Sequence, residues 1–194
     1  MKSTLVMLAL MVSVYWFWGQ SEIRRAPGVL APDEPVQLTA YSSSPRELYG
    51  FRVAALASFD IRARVIRSER YHFGREADLA PVDLVLGWGA MSDSAVLKQI
   101  NFSQGGRFYH WSATVFPVPR RVIETQSANM HMIPANGAIA RQLKAIRAGN
   151  MAHLKGWLVE VTSKDGFRWK SSLSREDTGA GACELILVEA LDVW

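Results

Sequence analysis

Along most of the chain, apolar and polar residues alternate over short stretches, which is the pattern of half-buried β-strands. Ile61, Ala63 and Val65 alternate with Arg62 and Arg64, so we predict a strand that faces the core on one side and carries arginines on the other. Short apolar runs predict further strands, at residues 49–59, 82–88, 107–116, 151–162, 167–172 and 183–188. The pattern therefore favours a β-rich protein.

Helical spacing is found in two shorter segments. Ser92 is suited to cap a brief helix that runs to Ile100, and Asn136 is suited to cap a second helix that ends at Gly149. In the second segment the apolar residues recur on one helix face, at Ile139, Leu143 and Ile146. We therefore expect two short helices in the body of the chain.

A turn signal in the last third of the chain joins two of the predicted strands. Lys164, Asp165 and Gly166 separate residues 151–162 from residues 167–172, and a short polar connection that contains glycine is typical of a β-hairpin. We expect an α+β fold, with a mainly antiparallel sheet that can curl into a small barrel, together with the two short helices.

The first 21 residues have a different pattern, a continuous apolar run. Residues 5–18 are apolar except for Ser13, and Lys2 supplies a positive charge in front of them. This arrangement is typical of a hydrophobic helix that targets a chain to a membrane. The run is shorter than the roughly 17 to 25 residues of a comfortable span, so both an uncleaved anchor and a cleaved signal peptide stay open.

Two details bear on the choice between anchor and signal peptide. The aromatic residues at 15–18 suit an interfacial belt, which favours a single-pass anchor, whereas Gly19 and Ser21 form a small-x-small pair that a signal peptidase could accept. Arg24 and Arg25 partly cancel the positive bias of the preceding flank. We expect the soluble domain to lie on the exported, periplasmic side.

Residues 22–48 have no sustained periodicity and are rich in proline and serine. Such a composition predicts an extended spacer. Two alternatives are open, a tether that holds the domain away from the bilayer and an extended segment that lies on the surface of the domain. The folded domain is expected to occupy residues 49–194.

The composition fits one packed domain, with 49% hydrophobic and 21% charged residues among 194. The formal net charge of +4 is spread along the chain, so we expect no nucleic-acid-binding surface. The arginines between residues 62 and 75 are interrupted by Glu69. We interpret this run as a solvated strand face rather than a phosphate-binding track.

His131, Asp83 and Cys183 are the candidate catalytic residues. A histidine acts as a general base when a carboxylate orients it, and Asp83 or Glu124 could do so. A cysteine becomes a nucleophile beside such a base, which makes Cys183 a second candidate. The alternatives are a loop histidine bonded to backbone and a buried structural cysteine in a strand covered on both faces.

A second set of residues could bind a ligand. Arg175 and Asp177 lie in the most polar stretch of the chain, for which the alternative is a solvated loop. Trp111, with Tyr109 and Trp169, could form an aromatic platform for sugars. The four histidines lie in separate predicted elements, at no spacing typical of a metal site, so neither a metal nor a cofactor is expected.

Three short motifs carry a family resemblance. They are Pro81-Val82-Asp83, Ser127-Ala128-Asn129-Met130-His131, and Asp177-Thr178-Gly179 with Ala182-Cys183-Glu184. In these motifs the chain resembles a family of uncharacterised bacterial proteins that are membrane-associated or exported, and the resemblance covers most of the chain after Pro27. It implies a bacterial origin and no named activity.

Together these patterns favour a non-enzymatic envelope protein whose domain binds another protein. This hypothesis accounts for the membrane-targeting segment, the spacer and the lack of a catalytic motif. The alternative is an envelope hydrolase that uses His131 with a carboxylate or with Cys183. A third hypothesis is a domain that binds cell-wall sugars on its aromatic residues.

Overall fold

The structure, a computed structural model, describes residues 22–39, 44–177 and 182–194. The hydrophobic helix predicted within residues 1–21 lies outside the described residues. In the ranges that are described, no helix is long and apolar enough to cross a membrane.

Strands dominate the described part of the chain, as the alternating pattern predicts. The strands are β1 (Val36–Thr39), β2 (Arg46–Leu48), β3 (Phe51–Arg70), β4 (Val82–Gly87), β5 (Asn101–Gly105), β6 (Phe108–Ser112), β7 (Ser127–Pro134), β8 (Met151–Thr162), β9 (Arg168–Lys170) and β10 (Glu184–Val193). The helices are α1 (Arg75–Leu79), α2 (Ser94–Leu97), α3 (Arg120–Thr125) and α4 (Gly137–Ala145), with a 3₁₀ turn at Gly89–Ser92. The architecture is β-rich and consistent with α+β.

The strand pairings close into a ring. β3 pairs with β4, β4 with β7, β7 with β10, β10 with β8, and β8 with β3 again. The pairing of β7 with β10 is parallel and the other four are antiparallel, so the sheet is mixed. The 20-residue strand β3 makes closure possible, because its first part pairs with β8 and its last part with β4.

Alternation along the ring strands divides their side chains between an inner and an outer face. Phe59, Ile61, Leu84, Met132 and Ile186 belong to one buried cluster that fills the inside of the ring. Two smaller buried clusters lie outside it. One of these is covered by the separate hairpin β5–β6, which contributes partly buried aromatic residues.

One glycine permits a close strand contact. A Cβ at Gly156 of β8 would collide with the carbonyl oxygen of Leu187 in β10. A larger residue there would push apart two strands that the ring needs to close. The position therefore requires glycine for backbone approach rather than for an unusual dihedral angle.

Residues 22–39 lie on the domain, which is one of the two alternatives that the sequence left open. The amide of Ile23 donates to the carbonyl of Ala148 at 2.8 Å, and Ala31 is buried. β1 and β2 both pair with β3. The folded body therefore includes strands from the segment that was expected to be a spacer.

Helix starts were predicted with mixed success. Asn136 caps α4 by accepting hydrogen bonds at 2.9 and 3.0 Å from two amides of the first turn, so that prediction is confirmed. The cap of α2 is Asp93 and not Ser92, whose hydroxyl instead accepts from the amides of Leu30 and Ala31 at 3.0 Å. The additional helices α1 and α3 are too short to produce an apolar periodicity in the sequence.

Strand predictions were more accurate at the end of the chain than in the middle. The hairpin of β8 and β9 across residues 163–167 is confirmed. β7 was not predicted, so His131 lies in a buried strand and not in the expected loop. Arg64 is also buried, at 3% exposure, although its alternation with Ala63 and Val65 predicted a solvated basic face.

Candidate functional site

Three neighbouring strands bring the candidate catalytic residues to one outer face of the ring. β4, β7 and β10 are adjacent in the sheet. Asp83 lies directly opposite His131 across β4 and β7, so both side chains lie on the same face. The turn of hairpin β5–β6 covers this face and supplies Arg107.

Asp83 is fully enclosed, and its two partners are the guanidinium of Arg107 and the ring of His131. Its Oδ1 lies 2.7 Å from Nη1 of Arg107 and 2.9 Å from Nδ1 of His131. The histidine N–H is not aligned on that oxygen, and Oδ2 has no hydrogen-bond donor among the described residues. Because an enclosed carboxylate is costly without compensation, these partners account for the presence of Asp83 in the interior.

Arg107 is held in place by its own backbone and by two aromatic rings. Its φ is +72°, and its amide donates to the hydroxyl of Tyr71 at 3.0 Å. Its carbonyl accepts from Nδ2 of Asn129 at 3.0 Å. The guanidinium carbon lies 3.8 Å from the centre of the Tyr71 ring and 5.6 Å from that of Trp169. The arginine is thus pre-positioned for Asp83.

Sequence reasoning missed Arg107. The available signal was Gly105-Gly106 just before it, which is typical of a hairpin turn. That signal locates a turn but does not indicate that the turn folds over a strand 24 residues earlier, at Asp83.

His131 is covered by Trp169, with ring centres 4.8 Å apart. The histidine is 3% exposed. A general base must come within hydrogen-bond reach of the proton that it removes. Around His131 and Asp83, however, the ring of Trp169 and the guanidinium of Arg107 occupy the space. The arrangement therefore favours a structural ion network, although the short contact between His131 and Asp83 is also what an acid–base pair would need.

Cys183 precedes β10 and lies near the same cluster. Its Sγ is 3.9 Å from the carbonyl oxygen of Arg107. Burial, with a smaller effect of the Glu184 carboxylate, raises the pKa of the Cys183 thiol to about 11. A nucleophilic cysteine needs a lowered pKa, so this environment opposes thiolate chemistry at neutral pH.

The relation of Cys183 to His131 follows from the strand register. His131 lies opposite Leu185, and in the described part of the chain no hydrogen bond or ion pair joins the histidine to the thiol. The expected burial of Cys183 is only partly met, because its side chain is half-buried. Cys183 also lines a groove beside β6.

Glu184, the first residue of β10, is a second enclosed carboxylate. It is 1% exposed, and burial raises its pKa to about 7, against the opposing effect of Arg175. Nη2 of Arg175 lies 2.8 Å from Oε1 of Glu184. Arg175, which was predicted to bind a ligand, is therefore occupied by an internal carboxylate.

A groove of about 450 Å³ lies beside β6. Consecutive residues from Phe108 to Trp111 line it, whereas no residue of β5 does, so the edge of β6 that faces away from β5 borders the groove. Within the described residues β6 pairs only with β5. That edge of the strand consequently has backbone groups without a strand partner.

The opposite wall of the groove is polar. Arg120 of α3 pairs with Glu124 at 2.8 Å, and its guanidinium carbon lies 5.7 Å from the centre of the Trp111 ring. The hydroxyl of Tyr109 donates to the carbonyl of Ser127 at 3.1 Å. The groove therefore combines aromatic surface with both signs of charge.

The ligand-binding candidates are divided between two places. Trp111 and Asp177 both line the groove, while Arg175 does not. Asp177 accepts a hydrogen bond from Ser172 at 2.6 Å. Trp169 lies over His131 and does not line the groove, so the predicted platform of Tyr109, Trp111 and Trp169 is not assembled.

Comparisons with protein-family models, with curated protein sequences and with solved structures found no match. Among the residues described, no group of three or more His, Cys, Asp and Glu side chains could hold a metal ion. The interpretation of the site therefore depends on its geometry.

Proposed function

We propose that this chain is a bacterial envelope protein, anchored or exported through residues 1–21, whose β-rich domain is a non-enzymatic module that binds an extended segment of a partner protein. The observation that carries the proposal is the groove along the free edge of β6. The candidate acid–base pair, by contrast, is enclosed by Arg107 and Trp169.

Strand addition is the binding mode that this groove suits. A partner segment in extended conformation would pair with the backbone of β6, and its side chains would alternate between the groove and solvent. Trp111 and Tyr109 supply aromatic contact area, which dominates the energetics of many interfaces. Arg120, Glu124 and Asp177 would select among partner sequences by charge.

The test places a photo-reactive amino acid at His110 of β6 in the full-length protein, with His72 as the matched control because both side chains are exposed. After irradiation we expect one defined crosslinked adduct with a partner protein from position 110, and none from position 72. Trp111→Ala should remove the adduct, and Trp194→Ala, at an exposed tryptophan outside the groove, should preserve it. Equal adducts from both positions would contradict the proposed groove.

The membrane part of the proposal is supported by the apolar run at residues 5–18 and by Lys2 in front of it. We expect the full-length protein to remain with membranes after a carbonate wash. A soluble product whose amino terminus is Glu22 would instead indicate a cleaved signal peptide.

An envelope hydrolase is the alternative that one contact favours, the 2.9 Å approach of His131 Nδ1 to Asp83 Oδ1. His131→Gln and Trp111→Ala should be compared in a strain that lacks the wild-type protein. The binding proposal expects Trp111→Ala to cause the larger loss of function. Loss of function in His131→Gln with an unchanged melting temperature would favour the hydrolase.

A further inference from the structure

A cavity of about 580 Å³ on another side of the domain is lined mainly by cations. The charged residues that line it are Arg24, Arg25, Arg64, Arg67, Lys98 and Glu22. The cavity thus has five basic side chains and one acidic one. These residues come from the amino-terminal segment, from β3 and from the end of α2, so the cluster exists only in the folded chain.

Arg64 forms the enclosed part of this cavity. It is 3% exposed, and its Nε has no hydrogen-bond partner among the described residues. Its Nη1 donates to the hydroxyl of Ser94 at 2.5 Å, while Nη2 lies 3.7 Å from a carboxylate oxygen of the largely exposed Glu22. Nη1 also makes a long contact of 3.4 Å with the carbonyl oxygen of Ser92. With an unused donor and no carboxylate of the described residues nearer than 3.7 Å, this buried guanidinium is under-compensated.

The neighbouring cations add to this imbalance. Arg25 donates to the backbone oxygens of Gly149 and Trp194, at 3.0 and 2.5 Å, which fixes its charge beside Arg64. Burial lowers the pKa of Arg64; the carboxylates of Glu22 and Asp93 oppose this effect, and the charge of Arg25 adds to it. Arg67 and Lys98 are exposed and form no ion pair with another described residue. An anion in the cavity would be favoured by all of these basic groups.

We infer that this cavity binds a phosphate group carried by a molecule with an apolar part. Arginine donors match the oxygens of a phosphate in number and geometry. The cavity also has an apolar part, formed by Ile66, Leu97, Ile100 and Phe102, beside the polar residues Ser94 and Asn101. A small inorganic anion would leave the apolar part without a partner, whereas an organic phosphate ester would contact both parts.

Two sources could supply such a ligand, an anionic phospholipid and a soluble phosphate ester. Arg25 follows the predicted membrane segment by four residues, which even when fully extended span no more than about 14 Å. If residues 1–21 are inserted, the cavity lies close to lipid headgroups. The site does not depend on the groove beside β6, so the two proposals can fail separately.

The test compares two double charge reversals in the full-length protein, purified in a non-ionic detergent. Arg67→Glu with Lys98→Glu changes exposed residues that line the cavity. Arg62→Glu with Arg70→Glu makes the same change in net charge at exposed residues of β3 that do not line it. Because all four side chains are exposed, both variants should fold, which melting temperatures will check.

Binding is measured by calorimetry with dioctanoyl phosphatidylglycerol, with dioctanoyl glycerol, which lacks the phosphate, and with phenyl phosphate, a soluble ester with an apolar part. We expect an anionic ligand to bind, and the cavity variant to weaken its binding at least about tenfold, as expected for lost charge-assisted contacts. The control variant should stay within about threefold of the wild type, since distant surface charges act only through a screened field.

The outcomes separate the sources and can overturn the inference. Phosphatidylglycerol bound much more tightly than phenyl phosphate would identify a lipid, and equal binding would identify a soluble phosphate ester. Equal binding of phosphatidylglycerol and dioctanoyl glycerol would mean that the apolar chains alone are recognised, which contradicts a phosphate site. Absence of binding, or equal losses in the two variants, would also overturn the inference.

Discussion

Two clusters of enclosed charge lie outside the same ring of strands and are built in opposite ways. Around Asp83, a guanidinium nitrogen of Arg107 and a ring nitrogen of His131 lie within 2.9 Å of one carboxylate oxygen. Around Arg64, the carboxylate of Glu22 is 3.7 Å away, and four more cations line the same cavity. The first cluster is largely compensated within the chain. In the second cluster the basic residues outnumber the carboxylates, so this cluster is suited to bind an anion that the described residues do not supply.

The largest expected effect is the loss of the carboxylate at the compensated cluster. Asp83→Ala leaves Arg107 and His131 without their shared partner in the interior, and we expect a cost of about 3 to 5 kcal/mol in the free energy of unfolding. The exposed Glu76 contacts the same guanidinium at 3.5 Å, so Glu76→Ala should cost less than about 1 kcal/mol. Urea denaturation measures both. Equal losses of stability in Asp83→Ala and Glu76→Ala would mean that the burial of Asp83 gives it no larger effect than the exposed Glu76.

Glu184 provides a pH-dependent test of an enclosed carboxylate with one cationic partner. Burial raises its pKa from 4.5 to about 7, so the folded state binds the proton more tightly than the unfolded state. Stability from this group is therefore present at low pH and is lost as pH rises from about 4.5 to about 7.

Glu184→Gln should remove this pH dependence. Between pH 5 and pH 8 the variant should gain stability relative to the wild type, on the order of 2 kcal/mol. Glu189→Gln is the matched control, because this glutamate lies on the same strand and is exposed. Urea denaturation at the two pH values decides the question. A constant difference between wild type and Glu184→Gln would refute the raised pKa.

A smaller effect is expected at the under-compensated cluster. Arg64→Met replaces a buried cation by an apolar side chain of similar length, and we expect the free energy of unfolding to change by less than about 1 kcal/mol in either direction. Arg107→Met should lower the free energy of unfolding clearly more, because it leaves the buried carboxylate of Asp83 without its cationic partner. Thermal and urea denaturation of both variants provide the comparison. A larger loss for Arg64→Met would contradict the contrast between the clusters.

The smallest perturbation is a label on Cys183. Its pKa of about 11 leaves very little thiolate at neutral pH, so we expect slow modification by a maleimide in the native state and a rate that rises steeply with pH. Unfolding in urea should restore the rate of an ordinary thiol. Rapid labelling of the native protein at pH 7 would instead support a reactive cysteine.

The accuracy of the sequence predictions depended on whether the pattern was local. β8 was predicted with its correct bounds, residues 151–162, because its apolar run ends at a glycine-containing turn. The cap Asn136 was predicted because its signal lies within one helical turn. β7 was missed because Ser127, Asn129 and His131 are polar residues on a face that becomes buried only under the β5–β6 hairpin.

The sequence named several residues that the fold brings together, but their arrangement was not predictable. Asp83 and His131 do meet, yet Arg107 joins them through a turn whose destination no local pattern encodes. Arg64 was assigned to solvent because alternation describes which face a side chain takes and not what covers that face. Here residues 22–31 and the 3₁₀ turn cover it.

The sequence by itself determined the β-rich character, the hairpin of β8 and β9 and the cap of α4, because each depends on periodicity or on residues close together in the chain. Only the tertiary structure decided the ring of strands, the ion network around Asp83, the raised pKa values of Cys183 and Glu184, and the basic cavity around Arg64. These depend on burial and on contacts between residues far apart in the chain, where charge, solvent access and partner geometry are set together.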